Sequence, residues 1–462
     1  MYPVITLVIL IIAMVYAVVL HDGSPQIPLI IGCTAAGLMA SFIGYRWNQI
    51  VGFMIKGISQ SIEALLILLL IGILVGVWIA SGTVPAMVYY GLGILSAKFF
   101  LAAAILICGI VSFAIGAWGT LGTVGIALMG IGIALGLPAP LVAGCIISGS
   151  YFGDAVSPLS DATNLCAAVV GRDVFKVVKI RVVPVMLAFG AAVIVYLIVG
   201  LVISSEGGDV AGAVEPLRQS LSEVYDISPW CLLPMAIIIV CILAKIPAIP
   251  SMLVGILTGV VIAMGFQGTP LADLVLIGVD GYVSDTGVEM VDTLLTAGGL
   301  SSMMNTISII FIAMAFGGIM QRSGQMQALV APLVNHINSF GVMNTFTVAC
   351  CVLMNVVLPD QYLGMSVPGQ MLQEEYDKRG YEREMLSAGM VGGAVSSALI
   401  PWNTCGIYCL TVLGISAMEY ATCAYFNLIC IVMIILWGFV ASRRIIRASK
   451  TQDAGSAQEQ EA

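Results

Sequence analysis

Charge is what this sequence has least of. Of 462 residues only 9% are Asp, Glu, Lys or Arg, two are histidine, and 60% are hydrophobic. Soluble domains carry about a quarter charged residues, so this composition excludes a water-soluble fold. No polar stretch is long enough for a separate soluble domain: the longest, 204–229 and 267–300, are loop-sized, and the tail after Ser449 is short. A Walker-type phosphate loop is absent, which argues against ATP-driven pumping, and no His/Cys spacing suggests a metal centre. The glycine run Gly130–Gly136 lacks the context of a dinucleotide fold. An intramembrane protease would need Asp or Ser/His partners that are missing, since neither His21 nor His336 falls in an apolar span. The 12 cysteines are scattered through apolar runs, as at Cys108, Cys145, Cys241 and Cys430, and read as small hydrophobes. Neither an enzyme nor a bound cofactor is expected, and nucleic acid is not an expected partner.

What is present is apolar sequence in windows of roughly 17 to 25 residues, each able to cross a hydrocarbon core of about 30 Å. Candidate spans run from 2–20 to 421–441. Two are interrupted, 138–171 and 385–416, and one, 361–377, is short and polar. The first segment has no basic leader and is read as a retained helix. The fold class is therefore all-α and polytopic, with about 10 to 14 membrane segments, some of which could be re-entrant hairpins. Basic residues fall on one side: Arg46 and Lys56, then Arg172, Lys176, Lys179 and Arg181, then Lys378, Arg379 and Arg383, then Arg443, Arg444, Arg447 and Lys450. The positive-inside rule puts that side, and both termini, in the cytoplasm of a cell whose plasma (inner) membrane holds the protein. The polar stretches 204–229 and 267–300 each carry five acidic residues and face outward.

Sliding the chain by about 242 residues aligns Gly76, Ser81 and Gly82 with Gly318, Ser323 and Gly324, Trp118 with Asp360, and Pro158 with the neighbour of Pro401. The halves are weak copies that start on opposite sides of the membrane, the pattern of inverted repeats whose broken helices meet near the midplane. The expected division is 1–203 as first repeat, 204–230 as external acidic loop, 231–441 as second repeat and 442–462 as cytoplasmic tail.

The most polar part of the first repeat is Ser148–Gly171, which packs two carboxylates, five hydroxyl side chains, an amide and a proline into Ser150–Asn164. Pro158 breaks a helix and frees carbonyls, which at membrane depth is tolerated only beside protein or a watery cavity. Asp154 and Asp161 flank the break. A carboxylate at the bilayer centre costs about 2.5 to 3.5 kcal/mol on insertion scales, and the only candidate intramembrane bases are Lys98 and Lys245. A proton or a bound hard cation such as sodium must then neutralise these groups, and the two compete. Ser157, Ser160, Thr163 and Asn164 add hard oxygen ligands. For sodium itself the expected ligands are Asp161, Asp154, Thr163 and Asn164. A purely structural use, with Asp154 capping a half-helix and Asp161 closing a turn, competes with this reading. The second repeat mirrors it: Pro401 breaks the helix, Asn403 and Thr404 offer oxygens, and Asp360 with Gln361 lies in the segment matching Trp118. Asn355, Ser396 and Ser397 are further polar candidates, and Gly72, Gly76, Gly82, Gly317 and Gly318 read as close-packing positions. Asp161 is the first choice for the shared cation and proton carboxylate, with Asp154 and Asp360 next.

The stretches SGSYFGDAVSPLSDATNLCAAVVG, WIASGTVPAMVYYGLG, GLSSMMNTISIIFIAMAFGGIMQRSG and the region Asp360–Gly406 resemble the NhaC-type sodium/proton antiporter family over most of the chain. The resemblance implies exchange of sodium for protons by alternating access, with Asp154, Ser157, Asp161, Thr163, Asn164, Asp360, Asn403 and Thr404 at motif positions. Similar proteins exchange organic solutes such as malate for lactate, or carry amino acids, so a coupled organic solute is the alternative. The chain departs from the family pattern at Ala155, where a basic residue is usual, at Ala162 and at Pro359. Loss of the neighbouring cation at Ala155 implies an Asp154 with less compensation. The expected partners are the lipid bilayer, sodium, protons, the organic solute of the alternative, and a second copy of the chain. A channel or a sensory membrane protein is the non-transport alternative.

Overall fold

The computed structural model describes residues 2–441 apart from 22, 60, 95, 159, 207–218, 220, 245, 286–291, 293, 294, 331–338 and 359. Readings on the acidic loop at 207–218, on Lys245, His336 and Pro359, and on the tail with Arg443, Arg444, Arg447 and Lys450 lie outside the described residues. Among the described residues, regular structure is helical apart from a β-bridge between Tyr282 and Ala297.

The first half runs α1 (Tyr2–Met14), α2 (Gln26–Ile43), α3 (Trp47–Ser59), α4 (Ile62–Ala80), α5 (Thr83–Ile94), α6 (Ala97–Thr120), α7 (Ile126–Ala134), α8 (Ala139–Val156), α9 (Asp161–Val170) and α10 (Val174–Glu206). The second half runs α11 (Leu233–Leu243), α12 (Ala248–Gly265), α13 (Leu271–Asp280), α14 (Leu300–Arg322), α15 (Gln325–Val330), α16 (Phe340–Val357), α17 (Gln361–Lys378), α18 (Arg383–Ser396), α19 (Thr404–Leu413), α20 (Ala417–Tyr420) and α21 (Tyr425–Ala441). Among the described residues, six helical stretches are long and apolar enough to cross a membrane alone, and three bent pairs pass together, with bends of 67°, 46° and 59°. Four further apolar helices are slightly shorter.

Two pairs of elements have matching form in the two halves of the chain. α9 and α19 are both ten-residue helices 243 positions apart, each begun by a side-chain cap, Ser160 or Asn403, and each ended by a left-handed glycine, Gly171 or Gly414. α4 and α14 both end at a Ser-Gly pair with nearly identical backbone, Ser81 at φ −78°, ψ −3° and Ser323 at φ −81°, ψ −1°. Gly82 and Gly324 follow at φ 72° and 76°, so the turn itself requires glycine. Reading Gly82 only as a close-packing position was incomplete. Gly72 and Gly318 do serve close approach: a Cβ on Gly72 would lie 2.5 Å from the Gly299 carbonyl, and one on Gly318 2.3 Å from that of Phe53.

Each half contains a helical hairpin whose tip meets a broken helix. In the first, Phe100 lies against Gly132 and the limbs meet at Gly116; in the second, Thr347 bonds Tyr376 and Asn355 lies against Gly364, with Leu358 and Asp360 at the tip. The limb α6 packs along α8 so closely that a Cβ on Gly153 would fall 2.5 Å from the Gly109 carbonyl. The broken helices α8–α9 and α18–α19 are antiparallel. Arg172, just after α9, meets Glu384 at the start of α18 at 3.2 Å, while Gly144 near the start of α8 meets Cys423 beyond α20. That contact also brings the basic groups around Arg172 and Arg383 to one end of the molecule.

Several helices went unread in the sequence: α3, α5, α15 and α20 fall between the expected spans, and α13 lies inside the stretch 267–300 taken as a loop. α10 begins at Val174. Its buried stripe is Val177, Arg181, Val185, Ala188, Ala192 and Tyr196, at spacings of three and four, while Val183, Met186, Leu187 and Ile194 are exposed toward the lipid side.

Candidate functional site

The site forms where the break of α8–α9 meets the first hairpin tip. Pro158 has no amide to donate, and α8 stops at Val156 with Ser157 extended at ψ 127°. The freed groups are met locally: Asn164 Nδ2 donates to the carbonyls of Pro158 at 3.1 Å and Ser160 at 2.9 Å, and Ser157 Oγ donates to the Phe113 carbonyl at 2.6 Å. Asn164 thus secures the break and is itself exposed.

Asp154 lies buried in the last turn of α8. Ser160 Oγ donates to Asp154 Oδ1 at 2.7 Å, and the Ala117 amide at the hairpin tip faces the same carboxylate. Gly116 adopts φ 74°, ψ 174°, which turns the tip amides toward Asp154; its missing Cβ would stand 3.3 Å from Asp154 Oδ1. Thr163 Oγ1 donates to the Asp154 carbonyl at 3.1 Å and accepts from Arg181 Nη2.

Arg181 is the functional residue that sequence reasoning missed. It is 1% exposed and faces the same cavity as Asp154, whereas Lys98, named as a candidate intramembrane base, is exposed at the start of α6. Counting Arg181 with Lys176 and Lys179 as a cytoplasmic base was wrong for Arg181 alone: the two lysines are exposed, and four-residue spacing turns Arg181 inward. The expectation that Asp154 lacks compensation, drawn from Ala155, is likewise corrected, because the cation arrives from α10.

The cavity is lined by Tyr151, Asp154, Ala155, Ala162, Thr163 and Arg181 on the first repeat and by Met365, Val391, Ala394 and Val395 on the second. It has room for about one water molecule. Arg181 Nε and Tyr151 Oη have no hydrogen-bond partner among the described residues, although Cys166 lies beside the first and Cys405 with Ser397 beside the second.

Asp161, the first choice from sequence, sits apart from this cavity, exposed at the first position of α9. Asp360 caps α17, accepting from the Leu363 amide at 3.0 Å and from Thr404 Oγ1 at 3.4 Å. Gln361 Oε1 accepts from Cys405 Sγ at 3.0 Å and Ser397 Oγ at 3.4 Å. Asn403 caps α19 and donates to the Asn355 carbonyl at 3.1 Å, and the Trp402 indole donates to the Val356 carbonyl at 2.8 Å, a bonding role beyond simple packing. The second cluster thus ties the second hairpin tip to the second break. The two halves of the chain are joined by Trp118 stacked on Tyr408 at 4.5 Å, with Tyr408 Oη donating to the Trp118 carbonyl at 2.6 Å. Among the described residues no group of three His, Cys, Asp or Glu could hold a metal ion.

Apolar helices broken in pairs around a buried carboxylate define a membrane transporter. The model of the Na+/H+ antiporter family matches residues 149–442. The Malate-2H(+)/Na(+)-lactate antiporter of Bacillus subtilis is 34% identical over 90% of this chain and 89% of its own length. The Na(+)/H(+) antiporter NhaC of Alkalihalophilus pseudofirmus is 34% identical over 90% of each. Among solved structures, Neisseria gonorrhoeae MtrF aligns over 90% of this chain and 95% of its own, at 14% identity and a TM-score of 0.47. The chain belongs to the Na+/H+ antiporter family.

Proposed function

We propose that this transporter exchanges sodium for protons by alternating access, with Asp154 as the carboxylate that the two ions share. The observation that carries the reading is the burial of Asp154 at the junction of tip and break, beside a cavity of about one water in size. Such a space suits a proton or a desolvated small cation. Helix position separates the three carboxylates. Asp161 and Asp360 sit at helix N-termini, where the backbone dipole favours their charge, while Asp154 sits in the last turn of α8, where it does not. Asp154 therefore relies on cations, Arg181 on α10 and the ion that arrives. Thr163 and the carbonyls around Ser157 and Ser160 supply neutral oxygens, and Asp161 with Asn164 lies on the exposed approach. Asp360, Gln361, Asn403 and Thr404 hold the second tip and break together as the matching half of the moving unit.

The antiparallel broken helices support an inverted relation between repeats 1–203 and 231–441. The basic groups gathered at one end support a plasma-membrane protein with cytoplasmic termini.

A second reading, sodium- or proton-coupled exchange of a small organic solute, is favoured by the guanidinium of Arg181 and the phenol of Tyr151 on the cavity wall, donors of the kind that bind a carboxylate. One experiment separates the two. Purified protein in proteoliposomes is given a sodium gradient and proton movement is followed, alone and with amino acids, amines and carboxylates. Sodium alone is expected to drive proton movement; movement that starts only when a solute is added would refute pure sodium/proton exchange.

A further inference from the structure

We propose that Arg181 is a tethered cation that competes with sodium for Thr163 beside Asp154 and thereby sets the sodium concentration at which exchange half-saturates. The inference rests on the sodium/proton reading of the same cavity.

Three observations carry it. The guanidinium is 1% exposed on the inward stripe of α10, so it is held in the protein interior. It donates to Thr163 Oγ1, a hydroxyl whose lone pairs a sodium ion would need, and that hydroxyl in turn donates to the Asp154 carbonyl. The guanidinium is also incompletely bound: Nε has no hydrogen-bond partner among the described residues, unlike a clamp whose donors are all engaged. A fully structural arginine, isolated from water, would be expected to use that donor.

The consequence follows from counting charge. With Arg181 present, Asp154 and Arg181 together are neutral before any ion arrives. A sodium ion entering the cavity meets one carboxylate and one fixed positive charge, so binding must displace the guanidinium from Thr163. Without Arg181 the same cavity carries one more negative charge in every state and binds sodium more tightly. Arg181 is in this sense a positioning residue that sets sodium affinity.

The test compares wild type, Arg181→Gln and Arg181→Lys in proteoliposomes across a series of sodium concentrations. Arg181→Gln is expected to lower the half-saturating sodium concentration roughly 10-fold, the effect of removing one charged hydrogen-bond competitor. Arg181→Lys keeps the charge and is expected to retain the wild-type half-saturation. Should the glutamine variant fail to fold, Arg181→Met carries the same expectation, since its apolar chain suits the wall of Met365, Val391 and Val395. An unchanged sodium half-saturation in the neutral variant would overturn the proposal, as would equal loss of flux in the lysine variant, which marks a structural role. Absence of sodium-driven proton movement in wild type would instead overturn the underlying reading of the site.

Discussion

Asp154→Asn is expected to retain the fold and lose the coupling of sodium to protons. The amide fits the space of the carboxylate and can still accept from Ser160 Oγ, now 2.7 Å from Oδ1. It carries no charge for sodium and no exchangeable site for a titrating proton. Hydrogen bonds and contacts to a charged group contribute about 1.5 to 3 kcal/mol, so sodium binding should weaken roughly 10- to 100-fold. Proton movement driven by sodium should vanish altogether. Isothermal titration with sodium in detergent, together with the proteoliposome assay, checks both parts. Asp161→Asn provides the contrast: from its exposed position it should lower the rate and leave the exchange coupled.

Gly116→Val should be the most damaging apolar substitution near the site. The backbone at φ 74°, ψ 174° lies in a region open essentially to glycine, and forcing another residue there costs about 1 to 3 kcal/mol. A branched side chain adds a second effect, because its Cβ would stand 3.3 Å from Asp154 Oδ1. Relief of either strain moves the Ala117 amide away from the carboxylate. The variant should melt earlier in detergent and bind sodium weakly even where it remains folded. Gly190→Ala on α10, where a Cβ meets nothing within 4 Å, is the neutral control for measurements of stability and binding.

Much of this architecture could be read from residues because the chain marks its breaks with proline. Pro158 and Pro401, each flanked by hydroxyl and amide side chains in apolar surroundings, located both interruptions, and the Ser-Gly pairs at 81 and 323 marked two helix ends of matching backbone. The hairpin tip at Gly116 was harder to see. Its sharp turn leaves no mark in the residues beyond the glycine itself, and only the conformation reveals that the Ala117 amide faces Asp154. Arg181 was hidden for a different reason. Counting basic residues by their neighbours groups it with Lys176 and Lys179, although the direction of a side chain depends on helical phase. The spacing of Val177, Arg181 and Val185 was the available signal. The ranking of the carboxylates changed because burial and helix polarity distinguish Asp154 from Asp161, and neither property follows from seven residues of separation across a broken helix.

The most direct measurement of the central claim is proton release on sodium binding to the purified, detergent-solubilised protein in weakly buffered solution. If sodium and a proton share Asp154, adding sodium releases protons from wild type and none from Asp154→Asn, while Asp161→Asn still releases them. Proton release that persists in Asp154→Asn would contradict the account.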